Sequence, residues 1–460
     1  MNNTDTLMNP TDDTLIKNAT LINEGRQFVA DVWIRGRRIH KIGSITCEQV
    51  PADSQIIQAQ GKYLIPGLID EHVHFRDPGA THKGDLESES RAAVLGGITS
   101  YLDMPNNNPP AVSRRALEEK LDLAAQKSWA NYGFYLGLNN INQQEAFRLD
   151  LHRHCGIKLF MGSSTGNMLV DREETLKQLF SDFEGVMGLH CEDETCIREA
   201  TRLAKEKYGE QIPFREHPHI RSREACIRST QKALALAENG RCHIHIMHIS
   251  TREELELIRD AKQRNIRVTA ETCPNYLWFD ERDYDRMEYR LKCNPAIKSA
   301  DDRMALLRAV RDGLIDTIGT DHAPHLLEEK QQPYASCPSG MPSIQFSLAT
   351  MIELSLQGHF DLPTLVEKMC HAPARIFKIE DRGFLREGAY ADLVLLSIDP
   401  ENRRPPIQPR DLAGKCGWSP YEGIAYATRI EYTWVNGKAV VAQGQLTDIP
   451  KAGLALTYHR

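Results

Sequence analysis

The chain has 460 residues, 41% hydrophobic and 26% charged, with a formal net charge of -7. That composition suits a globular protein with a large core, and its acidic excess leaves no basic stripe to neutralise a nucleic-acid backbone. It contains no run of 18 apolar residues, so no membrane-spanning helix is expected.

The first residues, MNNTDTLMNPTDDT, are polar and acidic and lack the basic and apolar regions of a signal peptide. The 11 cysteines are scattered without CxxC pairs, which fits reduced thiols in a cytoplasmic protein. Residues 14–46 read as short β-branched strands separated by turns. Near the other end, GAYADLVLLSIDP (388–400) and IEYTWVNGKAV (430–440) read the same way. Neither segment can bury a core alone. The two are therefore expected to meet in one small β-sandwich domain, formed by residues 1–64 and 375–460.

Residues 65–374 have a different rhythm. Short apolar strands alternate with helix-forming stretches such as SRRALEEKLDLAAQK and TREELELIRDAKQR. The strands are LIDEHVHF, SYLDMP, YGFYLGL, GIKLFMG, VMGLHCED, HIHIMHIS, RVTAETC and DTIGTDHAPH. This alternation predicts an α/β fold, a (β/α)8 TIM barrel carrying the small β domain built from both chain ends.

Polar residues recur where these strands end. In a strand, residues i and i+2 face one side, so Asp70, His72 and His74 are expected to point the same way. Barrel enzymes place their chemistry at the C-terminal strand ends, and paired imidazoles suit a divalent transition metal. The competing reading is a pair of solvated surface histidines. His190 ends the fifth strand and Asp321 the eighth. In the sixth, Ile244, Ile246 and His248 share a face, so His248 is expected at the mouth and His243 and His245 outside as structural residues. Lys158 stands among Ile157, Leu159, Phe160 and Met161. Burial lowers a lysine pKa, and an uncharged amine can capture carbon dioxide as a carbamate; the alternative is a lysine that snorkels to the rim. His217 and His219, in EHPHIRSREA, read as a structural surface segment.

Together DEHVHFRDPG, DMPNNNP, GIKLFMG, GLHCED, MHIS, LKCNPAIK and GTDHAPH make the chain resemble the dihydroorotases of the amidohydrolase superfamily over nearly its whole length. The resemblance implies two Zn2+ ions. His72, His74 and Asp321 would hold one, His190 and His248 the other, and a carboxylated Lys158 would bridge them. Arg76 and Asn106 would grip a substrate carboxylate, with Asn294 and His325 adding contacts and residues 336–346 offering backbone groups. It further implies a small-molecule substrate, reversible conversion of L-dihydroorotate to N-carbamoyl-L-aspartate, Asp321 as the proton carrier, and a homodimer. Allantoinases, hydantoinases and dihydropyrimidinases share the barrel and the ligands. A non-catalytic scaffold relative would usually have lost ligands, and every expected one is present here.

Overall fold

A computed structural model of the chain describes residues 13–162 and 168–459. The polar stretch that precedes residue 13 therefore lies outside the described residues.

The N-terminal segment supplies β1 (Asp13–Asn23), β2 (Arg26–Arg35), β3 (Arg38–Gly43), β4 (Gln55–Gln58) and β5 (Tyr63–Pro66). Eight strands follow: β6 (Leu68–Val73), β7 (Ile98–Asp103), β8 (Asn131–Gly137), β9 (Gly156–Phe160), β10 (Val186–His190), β11 (His243–Ile246), β12 (Val268–Thr272) and β13 (Thr317–Ile318). The chain ends with β14 (Leu393–Ile398), β15 (Thr428–Val435), β16 (Lys438–Ala442) and β17 (Gln445–Leu446).

Strands β6 to β13 form one eight-stranded sheet in sequence order, and their neighbours run parallel. A parallel bridge between Val73 and His322, with His74 N donating to His322 O at 2.8 Å, brings the last strand back to the first. The result is a (β/α)8 barrel. Helices cover the outside, which is why β6 and β7 are buried along their whole length and lack polar alternation. Side chains on those helices fix their starts. Asp85 accepts from the N–H groups of Glu87 and Ser88, and Thr251 forms a reciprocal capping box with Glu254.

The remaining strands make a nine-stranded, mainly antiparallel sheet drawn from both chain ends, in which β5 pairs with β14. Its core of Leu21, Val32, Ile34, Leu64, Leu393 and Trp434 is separate from that of the barrel. A third buried cluster joins Ile69, Leu102, Tyr135 and Met247 to Phe377, Leu456 and Tyr458, so the C-terminal tail packs against the barrel strands. Among the described residues, no helix is long and apolar enough to cross a membrane.

Candidate metal and substrate site

Strands of a parallel barrel release their chains at one end, and the residues singled out in the sequence meet there. One cavity of about 380 Å3 is lined by His72, His74, Arg76, Asn106, Lys158, His190, His248, Asn294, Asp321 and His325. All ten side chains named for the site from the sequence line it.

At one wall, His72 Nε2 and His74 Nε2 lie 3.2 and 3.1 Å from the same atom, Asp321 Oδ1. The far side of each ring decides its tautomer. His72 Nδ1 faces Glu271 Oε1 at 2.8 Å, and His74 Nδ1 faces Asn106 Oδ1 at 2.7 Å. Both acceptors call for an N–H, which leaves both Nε2 lone pairs aimed at a carboxylate oxygen. In that tautomer three electron-rich atoms converge on one point. That arrangement fits a cation, and acceptors behind the rings are what metal-binding histidines use. Burial disfavours charge on His72, but Glu271 and Asp321 outweigh it and raise the pKa; burial lowers that of His74. Asp321 is held below the usual carboxylate range by His72 and His74, against the opposing effect of burial.

Across the cavity, His190 Nδ1 and His248 Nε2 are 2.8 Å apart. His190 Nε2 donates to Glu192 Oε2 at 2.9 Å, which leaves its Nδ1 as an acceptor. Burial lowers the pKa of both rings, so both stand ready as neutral ligands. Lys158 is 1% exposed. Its Nζ lies 2.8 Å from Met247 Sδ and 5.2 Å from the centre of the Phe160 ring, and burial pushes its pKa down to about 8.

The polar wall is cationic. Arg76 Nε donates to Pro324 O at 3.1 Å, and its Nη2 lies 3.1 Å from His325 Nε2. Lys83 Nζ meets the other ring nitrogen of His325 at 3.0 Å. Burial, with Arg76 and Lys83, keeps the His325 imidazole far below its ordinary value. Trp418 Nε1 donates to His325 O at 2.7 Å, so the tail segment that carries it positions a cavity residue. Pro338, Ser339 and Gly340, within the predicted 336–346 segment, also line the cavity.

The readings of His245 and His217 from the sequence need correction. Direct partners in a parallel ladder face one side, and Lys158, Gly188, His245 and Thr269 are partners in turn. Lys158 faces the cavity, so His245 points into the barrel, and Ile244 and Ile246 pack outward. His248 reaches the mouth all the same, because β11 ends at Ile246 and His248 takes a left-handed backbone with φ 44°. His217 is not on the surface. It is 1% exposed, with Nδ1 at 2.7 Å from Tyr334 Oη and Nε2 donating to Cys293 O at 2.7 Å.

Other residues escaped the sequence reading. Arg221 lines the cavity, donates to Glu192 Oε2 at 2.8 Å and meets the Asn294 amide oxygen at 3.1 Å. Glu192 is held down at about 2 by Arg221 and His190, although burial works the other way. Glu192 lies two residues from His190, a position the sequence did highlight. A carboxylate at a strand end beside a candidate ligand was the available signal.

A closed parallel barrel with imidazoles, a lysine and a carboxylate at its mouth is the frame of a metal-assisted hydrolase. The chain belongs to the amidohydrolase family, whose model matches residues 63–440. Its relatives include a dihydroorotase of Methanosarcina acetivorans, 32% identical and covering 96% of this chain and 94% of that protein. A dihydroorotase of Pyrococcus abyssi is also 32% identical, over 89% of this chain and 91% of its own. Among solved structures, an L-hydantoinase (dihydropyrimidinase) from Arthrobacter aurescens superposes with a TM-score of 0.90 at 27% identity, covering 97% of this chain and 99% of that one.

Proposed function

We propose that this protein is a dihydroorotase that interconverts L-dihydroorotate and N-carbamoyl-L-aspartate. The observation that carries the reading is the pairing of two features in one cavity: a donor cluster suited to hydrolysis, and a carboxylate grip beside it. Asn106 stands beside the ligand cluster, its Oδ1 2.7 Å from His74 Nδ1, so its side chain is placed at the same end of the cavity as Arg76. Arg76 keeps a forked edge for an anion, and two parallel hydrogen bonds to a carboxylate are the specific property of a guanidinium. The dihydroorotase relatives support the same substrate.

His72, His74 and Asp321 would hold one zinc ion, and His190 and His248 a second, with Lys158 as a carbamate between them. Zinc bound there would supply Lewis acidity, making water acidic enough to act near neutral pH and polarising a carbonyl. Asp321 is unprotonated at neutral pH, so it can accept the proton of the attacking water. The water oxygen bonds to the ring carbonyl carbon, the C–N bond breaks, and Asp321 returns the proton to the departing nitrogen. Arg76 and Asn106 hold the substrate carboxylate meanwhile, and biosynthesis runs the same steps in reverse. This reading also carries a cytoplasmic homodimer, tested by cell fractionation and light scattering.

The structural likeness to the hydantoinase favours a second reading, a cyclic amidase without a carboxylate requirement. A panel of dihydroorotate, allantoin, hydantoin and dihydrouracil, run on zinc-loaded protein, separates the two. Preference for dihydroorotate is the expected result, and faster turnover of hydantoin or dihydrouracil would overturn the proposal. Carbon-13 NMR of protein equilibrated with labelled bicarbonate checks the carbamate: a wild-type signal that disappears in Lys158→Ala.

A further inference from the structure

A second cluster of potential ligands lies behind the imidazole of His72, inside the barrel. Glu71, His245 and Glu271 each present one donor atom, and these atoms lie within 4.8 Å of one another. All three residues are 0% exposed. Among the described residues, neither oxygen of Glu71 has a hydrogen-bond partner, nor has His245 Nε2 or Glu271 Oε2. The one ion-pair approach across the cluster, His245 Nε2 to Glu271 Oε2, is 3.6 Å, too long for a hydrogen bond.

Isolated buried carboxylates are costly, and natural folds pair them or give them to a cation. The other atoms of these residues are engaged in ways that aim the free ones inward. Glu271 Oε1 accepts from His72 Nδ1 at 2.8 Å, so Oε2 is the oxygen left over. Thr269 Oγ1 stands 3.0 Å from His243 Nε2 and 2.9 Å from His245 Nδ1. The hydroxyl has one proton. Donating it to His243 makes His245 Nδ1–H the donor to Thr269 and turns the His245 Nε2 lone pair toward the two glutamates. Three acceptors then face one point. A single proton satisfies one pair of them, whereas a divalent ion satisfies all three.

We propose that Glu71, His245 and Glu271 hold a further divalent transition-metal ion, separate from the ions at the barrel mouth. Two carboxylates and an imidazole are a donor set for zinc, manganese or iron(II), and donors at roughly 2.0–2.2 Å from one ion need only a small inward shift of these side chains. Glu271 belongs to both places. One oxygen orients His72 and the other ligates the inner ion, which joins the two sites through one side chain.

The test uses the full chain, loaded with zinc and dialysed. Crystals measured on both sides of the zinc absorption edge should give an anomalous peak between Glu71, His245 and Glu271, distinct from any peak at His72, His74 and Asp321. In solution, Glu71→Gln should carry one zinc fewer per chain than wild type by elemental analysis and keep its mouth peak. His245→Gln should do the same. No peak between the three residues in wild-type crystals overturns the proposal, as does an unchanged zinc count in a folded variant. If both variants misfold, the wild-type map decides alone. Absence of the mouth peaks would count against the metal centre of the proposed function and leave the inner site to be judged by its own peak.

Discussion

Replacing Arg76 by lysine tests whether this cavity reads a substrate carboxylate. Arg76 Nε is occupied by Pro324 O at 3.1 Å, and Nη2 leans on His325 Nε2 at 3.1 Å. A guanidinium has five N–H donors in a rigid fork, so with these engaged it still offers two parallel bonds to an anion. An ammonium keeps the charge but can make one such bond from a mobile stem and loses the Pro324 anchor. A hydrogen bond to a charged group contributes about 1.5–3 kcal/mol, so Arg76→Lys should lower kcat/KM for dihydroorotate by roughly 10- to 150-fold. Most of the loss should fall on KM, because the carboxylate is held alike in ground and transition states. The control is the carboxamide analogue of dihydroorotate, which the wild type should handle poorly and the variant no worse. Unchanged zinc content and an unchanged unfolding midpoint would show that the donor cluster and the fold survive. Equal losses on acid and amide would refute the reasoning, since the defect would then lie in the site as a whole.

Gly319→Ala should damage the metal site without replacing a ligand. A Cβ there would lie 2.9 Å from Glu271 Oε2 and 3.1 Å from His72 Cβ, so the carboxylate that orients His72 must move. Zinc affinity should fall about 10- to 100-fold in a chelator titration, and wild-type affinity would show that Glu271 does not position the ring. Lys330 is 0% exposed and donates to Lys292 O, Pro338 O and Gly340 O at 2.9, 2.9 and 3.0 Å, tying down the loop that borders the cavity. Lys330→Met should cost about 2–4 kcal/mol in urea unfolding, because orphaned carbonyls outweigh the relief of a buried ammonium, and KM should rise more than kcat falls. An unchanged midpoint and KM would contradict that. Asp302 is pushed up by burial, but Ser299, Arg252 N and Arg223 together lower its pKa below the ordinary 3.8. Its stabilisation is therefore complete above that value and is lost as pH falls through it toward the folded pKa. The gap in unfolding midpoint between wild type and Asp302→Asn should stay constant from about pH 7 to 5 and shrink below about pH 4; a gap that widens in acid would reverse the assignment.

The eight barrel strands were readable because helices cover their outer faces, so each stands out as a short apolar run between charged helices. The candidate ligands were readable because they end those runs. What stands behind them was not. Glu271 reaches His72 from 199 residues away, and Arg221 meets Asn294 only after the barrel has closed. A local pattern carries no trace of such pairings. The face of His245 was misread for a more specific reason. Counting back by twos from His248 assumes one continuous strand, but the strand stops at Ile246 and the chain then turns through a left-handed residue. Alternation holds only as far as the ladder does.

That turn is one of three among the non-glycine residues that line the cavity. Arg76, His248 and Asp321 have φ of 66°, 44° and 47°, a region that side-chain-bearing residues seldom occupy. Each costs on the order of 1–3 kcal/mol, so each needs neighbours that over-determine it. For His248 the neighbour is Glu271, whose Oε1 accepts the His248 N–H at 3.1 Å while holding His72 Nδ1 at 2.8 Å. For Asp321 it is the residue before it: Thr320 gives Asp70 its N–H at 3.0 Å and its hydroxyl at 2.6 Å. Asp70 does not join the cluster that its strand parity suggested; it ties the first barrel strand to the last. Arg76 is tethered through Pro324 O, four residues from Thr320 on the same returning segment. The strained residues thus face the cavity while buried carboxylates and carbonyls behind them hold the strain. Substitutions at Glu271 or Asp70 should therefore disturb the site as much as substitutions of the ligands themselves, although neither side chain lines the cavity.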